Sequence, residues 1–148
     1  MKPFIVLMPG MMCNRDVFYH QINVLEKVFN VIVKEFNEHR DIELGVKDLA
    51  STLPNQFHLL GHSMGGIVAM EFVKQHSKRV LSLTLLNTNP YEEKEEQKDR
   101  RNKTLKELDG LDLISLMRSD YIPRYFPDDC RDKDLSLIHI SEPTRQDS

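Results

Sequence analysis

Residues 57–66 read Phe57-His58-Leu59-Leu60-Gly61-His62-Ser63-Met64-Gly65-Gly66, and the fold turns on them. Residues 57–60 are a short apolar run of the kind that forms a buried strand. A Gly-x-Ser-x-Gly turn follows, and then Ile67-Val68-Ala69-Met70-Glu71-Phe72-Val73, which has the apolar content of a packed helix. Strand, sharp turn and helix in that order give the motif a mechanism. The turn forces Ser63 into a strained backbone conformation. Gly61 and Gly65 leave room for it, because a Cβ at either position would collide with neighbouring backbone. The strain holds the Ser63 hydroxyl clear of the sheet, where a carbonyl carbon and a histidine can both reach it. The helix that starts here turns its unpaired N–H groups and positive dipole end toward any oxyanion that forms. The plainer alternative is a glycine-rich turn whose serine only caps the helix.

Outward from this stretch, the chain alternates strands and helices. Residues 4–8 form a continuous apolar run, as expected of a parallel strand covered on both faces. The turn Pro9-Gly10-Met11-Met12-Cys13-Asn14 comes next, with Asn14 or Asp16 available to cap a helix. That helix is expected to bear Val17, Phe18, Ile22, Val24, Leu25 and Val28 on one face. A second strand is predicted over residues 31–33 and a polar loop over 37–41. Ile42, Leu44, Val46, Leu49 and Leu53 then mark a helix ended by Pro54. The helix after Ser63 is expected to run to about His76, with Lys74, His76 and Lys78 suiting its C-terminal dipole. Residues 80–86 read as a fourth strand. Such alternation implies β-α-β crossovers and a parallel sheet.

Beyond Leu86 the pattern changes, and no further strand is read. Residues 92–101 are dense in charge, with Glu96 and Arg100 spaced to pair along a solvated helix. Leu105, Leu108, Leu111, Leu113, Ile114, Leu116 and Met117 continue as an apolar helical segment, read as packing rather than a cofactor site.

Bulk properties narrow the function. The chain has 148 residues, enough for one modest domain with a real core. A hydrophobic share of 40%, a charged share of 29% and a net charge of −3 are those of a globular protein without a general nucleic-acid or membrane-surface role. Cys13 and Cys130 have neither metal-ligand spacing nor a disulfide framework, so a reducing cytoplasm is expected, with no metal and no cofactor. Pro9-Gly10 breaks the opening apolar run too early for a secretion signal, and no run approaches a membrane span.

Three segments resemble the α/β-hydrolase family, in particular its compact single-domain esterase-like members with a helical cap. They are Leu7-Met8-Pro9-Gly10-Met11-Met12, Gly61-His62-Ser63-Met64-Gly65-Gly66 and Leu85-Leu86-Asn87-Thr88. The resemblance covers about residues 3–126 and implies a partial α/β-hydrolase fold: a mostly parallel sheet flanked by helices, with the start of a helical cap. The implied divisions are a core over 1–90, the cap's start over 91–127, and a charged loop and tail over 128–148. Where the family often has His-Gly after the first strand, this chain has Pro9-Gly10. By position, Ser63 would be the nucleophile, and the backbone N–H groups of Met64 and Met11 the oxyanion hole. Met11 and Met12 would line an acyl pocket or serve packing alone. A serine here argues against a dehalogenase, which needs a carboxylate.

The resemblance also implies a later Asp or Glu and then a His. His20, His39 and His58 precede Ser63, His62 lies within the turn and His76 at the helix end; each reads as structural. Only His139 falls late enough. It sits in residues 135–145, which resemble the in-frame translation of a transposase-type sequencing adapter, so the natural chain is expected to end near Lys133 or Asp134. The alternative is a real strand over 135–140 carrying a catalytic histidine, with Asp128, Asp129, Asp132 and Asp134 as the nearby acids. On the first reading this chain is an inactive fragment of a serine hydrolase that acts on a carboxylic ester or related acyl bond. The alternatives are a C–C bond hydrolase, a lactonase, an acyltransferase, or a non-catalytic ligand-binding protein on the same fold. The expected partner is a small acyl substrate, not a nucleic acid or a membrane.

Overall fold

A computed structural model describes residues 1–36 and 41–107. The core unit, Met1–Pro90, carries four strands: β1 (Phe4–Met8), β2 (Asn30–Val33), β3 (Phe57–His62) and β4 (Val80–Leu86). Between them lie α1 (Tyr19–Leu25), α2 (Ile42–Thr52) and α3 (Met64–His76). All strand pairings are parallel, in the order β2-β1-β3-β4. The expected α/β class with a parallel sheet is therefore the observed one.

The apolar run of β1 is explained by its position between β2 and β3, where side chains of both parities are covered. Val6 and Met8 enter a core with Val46 of α2, Phe57 and Leu59 of β3, and Val68 and Phe72 of α3. Ile5 and Leu7 enter a second core with Phe18 and Ile22 from the α1 side. Helices thus cover both faces of the sheet at β1, whereas β4 at the edge leaves Leu81, Leu83, Leu85 and Leu86 exposed among the described residues. Each fully buried apolar side chain contributes roughly 1.5–3 kcal/mol before entropy is counted.

The helix expected to bear Val17 through Val28 is shorter and broken. Asn14 caps a 3₁₀ turn, Arg15–Phe18, by accepting from the Asp16 N–H at 2.9 Å, and α1 follows as seven residues. The residues that meet the sheet are Phe18, Ile22, Leu25 and Phe29, with Val17 packed beside them. Val24 and Val28 stand one residue out of that register and are exposed. Of the six apolar residues expected on one face, Val17, Phe18, Ile22 and Leu25 pack in the second core, and Val24 and Val28 do not. Likewise in α2, Val46 is buried while Leu44 faces outward. The Asp41 carboxylate caps α2 by accepting from the Leu44 N–H at 2.9 Å.

A residue outside the dipole reading ties α2 to the sheet. Arg79 Nη1 donates to Ala50 O at 2.9 Å, and Nη2 donates to Leu53 O at 2.8 Å and Pro54 O at 2.7 Å. Its guanidinium also lies over the Phe57 and Phe72 rings, 5.9 and 5.7 Å from their centroids. One cation thus satisfies carbonyls at the end of α2 while packing on the core. Replacing Arg79 with methionine keeps much of the stem and strands those carbonyls. A loss of about 2 kcal/mol is expected in urea denaturation; an unchanged midpoint would contradict the role.

The second unit begins at Tyr91 and is described to residue 107. Its α4 (Glu95–Glu107) is acidic in its first turn and carries Lys106 in its last, as the helix dipole favours. Lys98 pairs with Glu95 and Glu92, and Arg101 pairs with Glu93. Exposed pairs of this kind contribute little each, which agrees with a solvated helix. The apolar segment over 108–117, Cys130, the Asp candidates over 128–134 and residues 135–145 with His139 lie outside the described residues.

Candidate active site

From β1 the chain passes to β2 on one side and later returns to β3 on the other. The loop after β1 leads to α1 on one face of the sheet, while β3 leads directly to α3 on the opposite face. Adjacent strands whose connections leave in opposite directions mark the switch point where open α/β sheets bind ligands. Met8 pairs in register with Gly61, so the Pro9-Gly10 loop and Ser63 emerge side by side at that point.

Close backbone approach accounts for the glycines. A Cβ on Gly65 would lie 2.2 Å from Met8 O and 2.4 Å from Pro9 O. One on Gly61 would lie 2.5 Å from Gly65 O and 2.6 Å from the Gly66 Cα. Gly10 faces the serine itself: its Cβ would stand 3.1 Å from Ser63 Cβ, 3.5 Å from Ser63 Oγ and 3.3 Å from His62 Nδ1.

Ser63 has φ 53° and ψ −120°, a left-handed backbone that costs a non-glycine residue on the order of 1–3 kcal/mol. Although it stands at the start of α3, its side chain makes no capping hydrogen bond. The capping alternative is therefore not what the structure contains. The turn is held by backbone instead: Ser63 N–H donates to Leu86 O at 2.9 Å, and Gly66 N–H donates to Ser63 O at 2.9 Å. A third bond comes from the Thr88 hydroxyl, which donates to Ser63 O at 2.7 Å.

Met64 follows Ser63 as the first residue of α3, where helix geometry gives the N–H no intrahelical acceptor. Its side chain packs against the core. Met11 and Met12 lie in a turn closed by Cys13 N–H donating to Gly10 O at 3.1 Å, with Met12 at φ 60°. Met11 is 56% exposed, Met12 is half-buried, and neither belongs to the two apolar cores. Cys13, in the same turn, is a free thiol whose pKa burial raises, which disfavours the reactive thiolate. Ser63 is the stronger nucleophile candidate here.

Among the described residues no imidazole hydrogen-bonds to Ser63 Oγ. His58 Nδ1 pairs with Ser82 Oγ at 2.8 Å, and its ring meets Phe29 edge-on. His76 packs against Phe72 and His20 against Tyr19. His62 meets Phe18 edge-on, and its Nδ1 is buried without a partner beside Gly10. His39 lies outside the described residues. No group of three or more His, Cys, Asp or Glu that could hold a metal ion occurs among the described residues, and none of their helices is long and apolar enough to cross a membrane.

Comparison with solved structures gives a thermophilic esterase from Thermogutta terrifontis at TM-score 0.72 and 22% identity, covering 95% of this chain and 58% of that one. A hydrolase from Pseudomonas aeruginosa matches at TM-score 0.76 and 17% identity, covering 96% and 60%. The enol-lactonase from Burkholderia xenovorans matches at TM-score 0.75 and 18% identity, covering 93% and 56%. Residues 45–113, which include the Ser63 turn, match the family model described as alpha/beta hydrolase fold. The chain has an α/β-hydrolase-like fold. It spans somewhat more than half the length of these three relatives. No curated protein matches it. Within this fold, Ser63 stands at the turn between β3 and α3.

The glycine spacing pointed to Ser63 because the turn's demands are local. Leu86 and Thr88 lie in the third segment that carries the resemblance, but their hydrogen bonds to Ser63 were not read from it, since they reach the turn from more than twenty positions along the chain. A sequence signal for the Thr88 contact is the extra glycine, Gly66, whose missing side chain makes room for Thr88: a Cβ there would lie 2.6 Å from both Thr88 Cβ and Oγ1.

Proposed function

We propose that the whole protein is a serine hydrolase acting on a carboxylic ester or related acyl bond. The observation that carries this reading is Ser63, held at φ 53° on the switch point with its hydroxyl not spent on capping α3. Ser63 Oγ attacks the acyl carbon, and an imidazole of the whole protein takes the hydroxyl proton. The tetrahedral oxyanion is bound by the N–H groups of Met64 and Met11. Its collapse forms the acyl-enzyme and expels the leaving alcohol or thiol, which takes up the proton. Water, activated by the same imidazole, then releases the acid and regenerates Ser63. Met11 and Met12 line the acyl side of the site.

The bond class extends to lactones, because opening a cyclic ester requires the same steps, and an enol-lactonase is among the structural neighbours. We place the protein in the cytoplasm, in keeping with the free Cys13 thiol. The substrate is a small acyl compound, with no nucleic acid or membrane as partner.

A fluorophosphonate reacts with a serine only when that serine is activated. The intact gene product is expected to be labelled, with the adduct mapping to Ser63. Absence of labelling in the folded protein would overturn the reading in favour of a non-catalytic binding protein.

A further inference from the structure

We infer that Thr88 is a positioning residue that aims the Met64 N–H at the oxyanion, an inference that rests on the reading of Ser63 as nucleophile. The Ser63 carbonyl and the Met64 N–H belong to one peptide unit. Because that unit is planar and trans, its C=O and N–H point in opposite directions. Fixing the oxygen therefore fixes the direction of the hydrogen. The oxygen is fixed twice, by the Gly66 N–H at 2.9 Å and by the Thr88 hydroxyl at 2.7 Å. The first bond lies within the turn and moves with it. The second comes from the loop after β4 and ties the peptide to the sheet.

The loop is built for this contact. Ser63 N–H donates to Leu86 O at 2.9 Å, two residues before Thr88. Asn87 between them has φ 46°, a left-handed turn that Asn tolerates better than most residues. This turn carries the chain from the sheet edge to the start of α3. There the Thr88 side chain fills the space Gly66 leaves, with a notional Gly66 Cβ 2.6 Å from Oγ1 and 2.7 Å from Cγ2. Both ends of the strained Ser63 residue are thus held by the segment 86–88. Donation to the carbonyl also polarises the peptide, which makes its N–H a stronger donor to developing negative charge.

The test compares Thr88→Val, which removes the hydroxyl at near-constant shape, with Thr88→Ser, which keeps it, in the intact gene product. With a short-chain p-nitrophenyl ester, Thr88→Val is expected to lower kcat about 10- to 100-fold with KM nearly unchanged, since only transition-state charge is affected. Thr88→Ser should recover activity to within about threefold of the parent. Amide hydrogen exchange, which does not depend on catalysis, should be faster at residues 63–66 in Thr88→Val and normal in Thr88→Ser. Equal kcat in the Val variant, or a loss that Ser fails to rescue, would overturn the inference. So would unchanged exchange. If the Val variant does not fold, Thr88→Ala removes the same hydroxyl without placing a methyl against the carbonyl and is read in the same way. If the parent protein takes no label at Ser63, the nucleophile reading fails by itself, and the exchange data alone then decide whether Thr88 holds the peptide.

Discussion

Ser63→Ala in the intact gene product is expected to reduce ester hydrolysis by about 10⁴- to 10⁶-fold while leaving the fold in place. On the proposed mechanism the substitution removes the one atom that forms the acyl bond and little else. Ser63 Oγ caps no helix, so its loss strands no backbone donor. Alanine at φ 53° carries much the same backbone strain as serine, and the bonds that hold that backbone come from Leu86, Gly66 and Thr88. The thermal midpoint should therefore move little. Residual turnover above water, on the order of 10³-fold, is what binding and oxyanion donors supply without a nucleophile. Full activity in the folded Ala variant would remove Ser63 from the mechanism. A parallel loss of folding would show instead that the hydroxyl is structural.

Gly65→Ala should be the most damaging one-carbon change in the turn. The added Cβ would meet Met8 O at 2.2 Å and Pro9 O at 2.4 Å. These carbonyls belong to the end of β1 and its loop, and Met8 is itself fully buried between β3 and the α3 side of the core. Relief requires moving α3 away from the sheet or displacing the loop that faces Ser63. A destabilisation of about 3 kcal/mol or more is expected, at or above the upper end of ordinary overpacking because backbone rather than a flexible side chain must give way. Urea denaturation monitored by circular dichroism measures it. Any fraction that remains folded should also react slowly with a fluorophosphonate, since the Gly10 loop and Ser63 no longer meet. A midpoint shift below about 1 kcal/mol would mean that the close approach is not needed.

The sequence by itself determined the features governed by contiguous residues. β4 was legible to the residue as Val80–Leu86, and α3 to its end at His76. In β4 a run dominated by Val and Leu ends at the polar turn residues Asn87 and Thr88, and in α3 the basic residues Lys74 and His76 mark the last turn. The turn at Ser63 was legible for the same reason, because Gly61 must avoid Gly65 and Gly66 only a few positions on. Where several apolar residues left a choice of face, the sequence did not decide. Phe18, Ile22, Leu25 and Phe29 reach the sheet, and Val24 and Val28 do not, because only one side of a helical segment can face the sheet and the neighbouring row is turned to solvent. Tertiary structure alone decided the order β2-β1-β3-β4, which brings Gly10 to within contact of Ser63. It alone placed Arg79 on the carbonyls of Ala50, Leu53 and Pro54, and Thr88 on the carbonyl of Ser63. Such hydrogen bonds join residues 25 to 29 positions apart and leave no periodic trace, since a single donor meeting a distant carbonyl depends on where two elements pack, not on the residues beside either one.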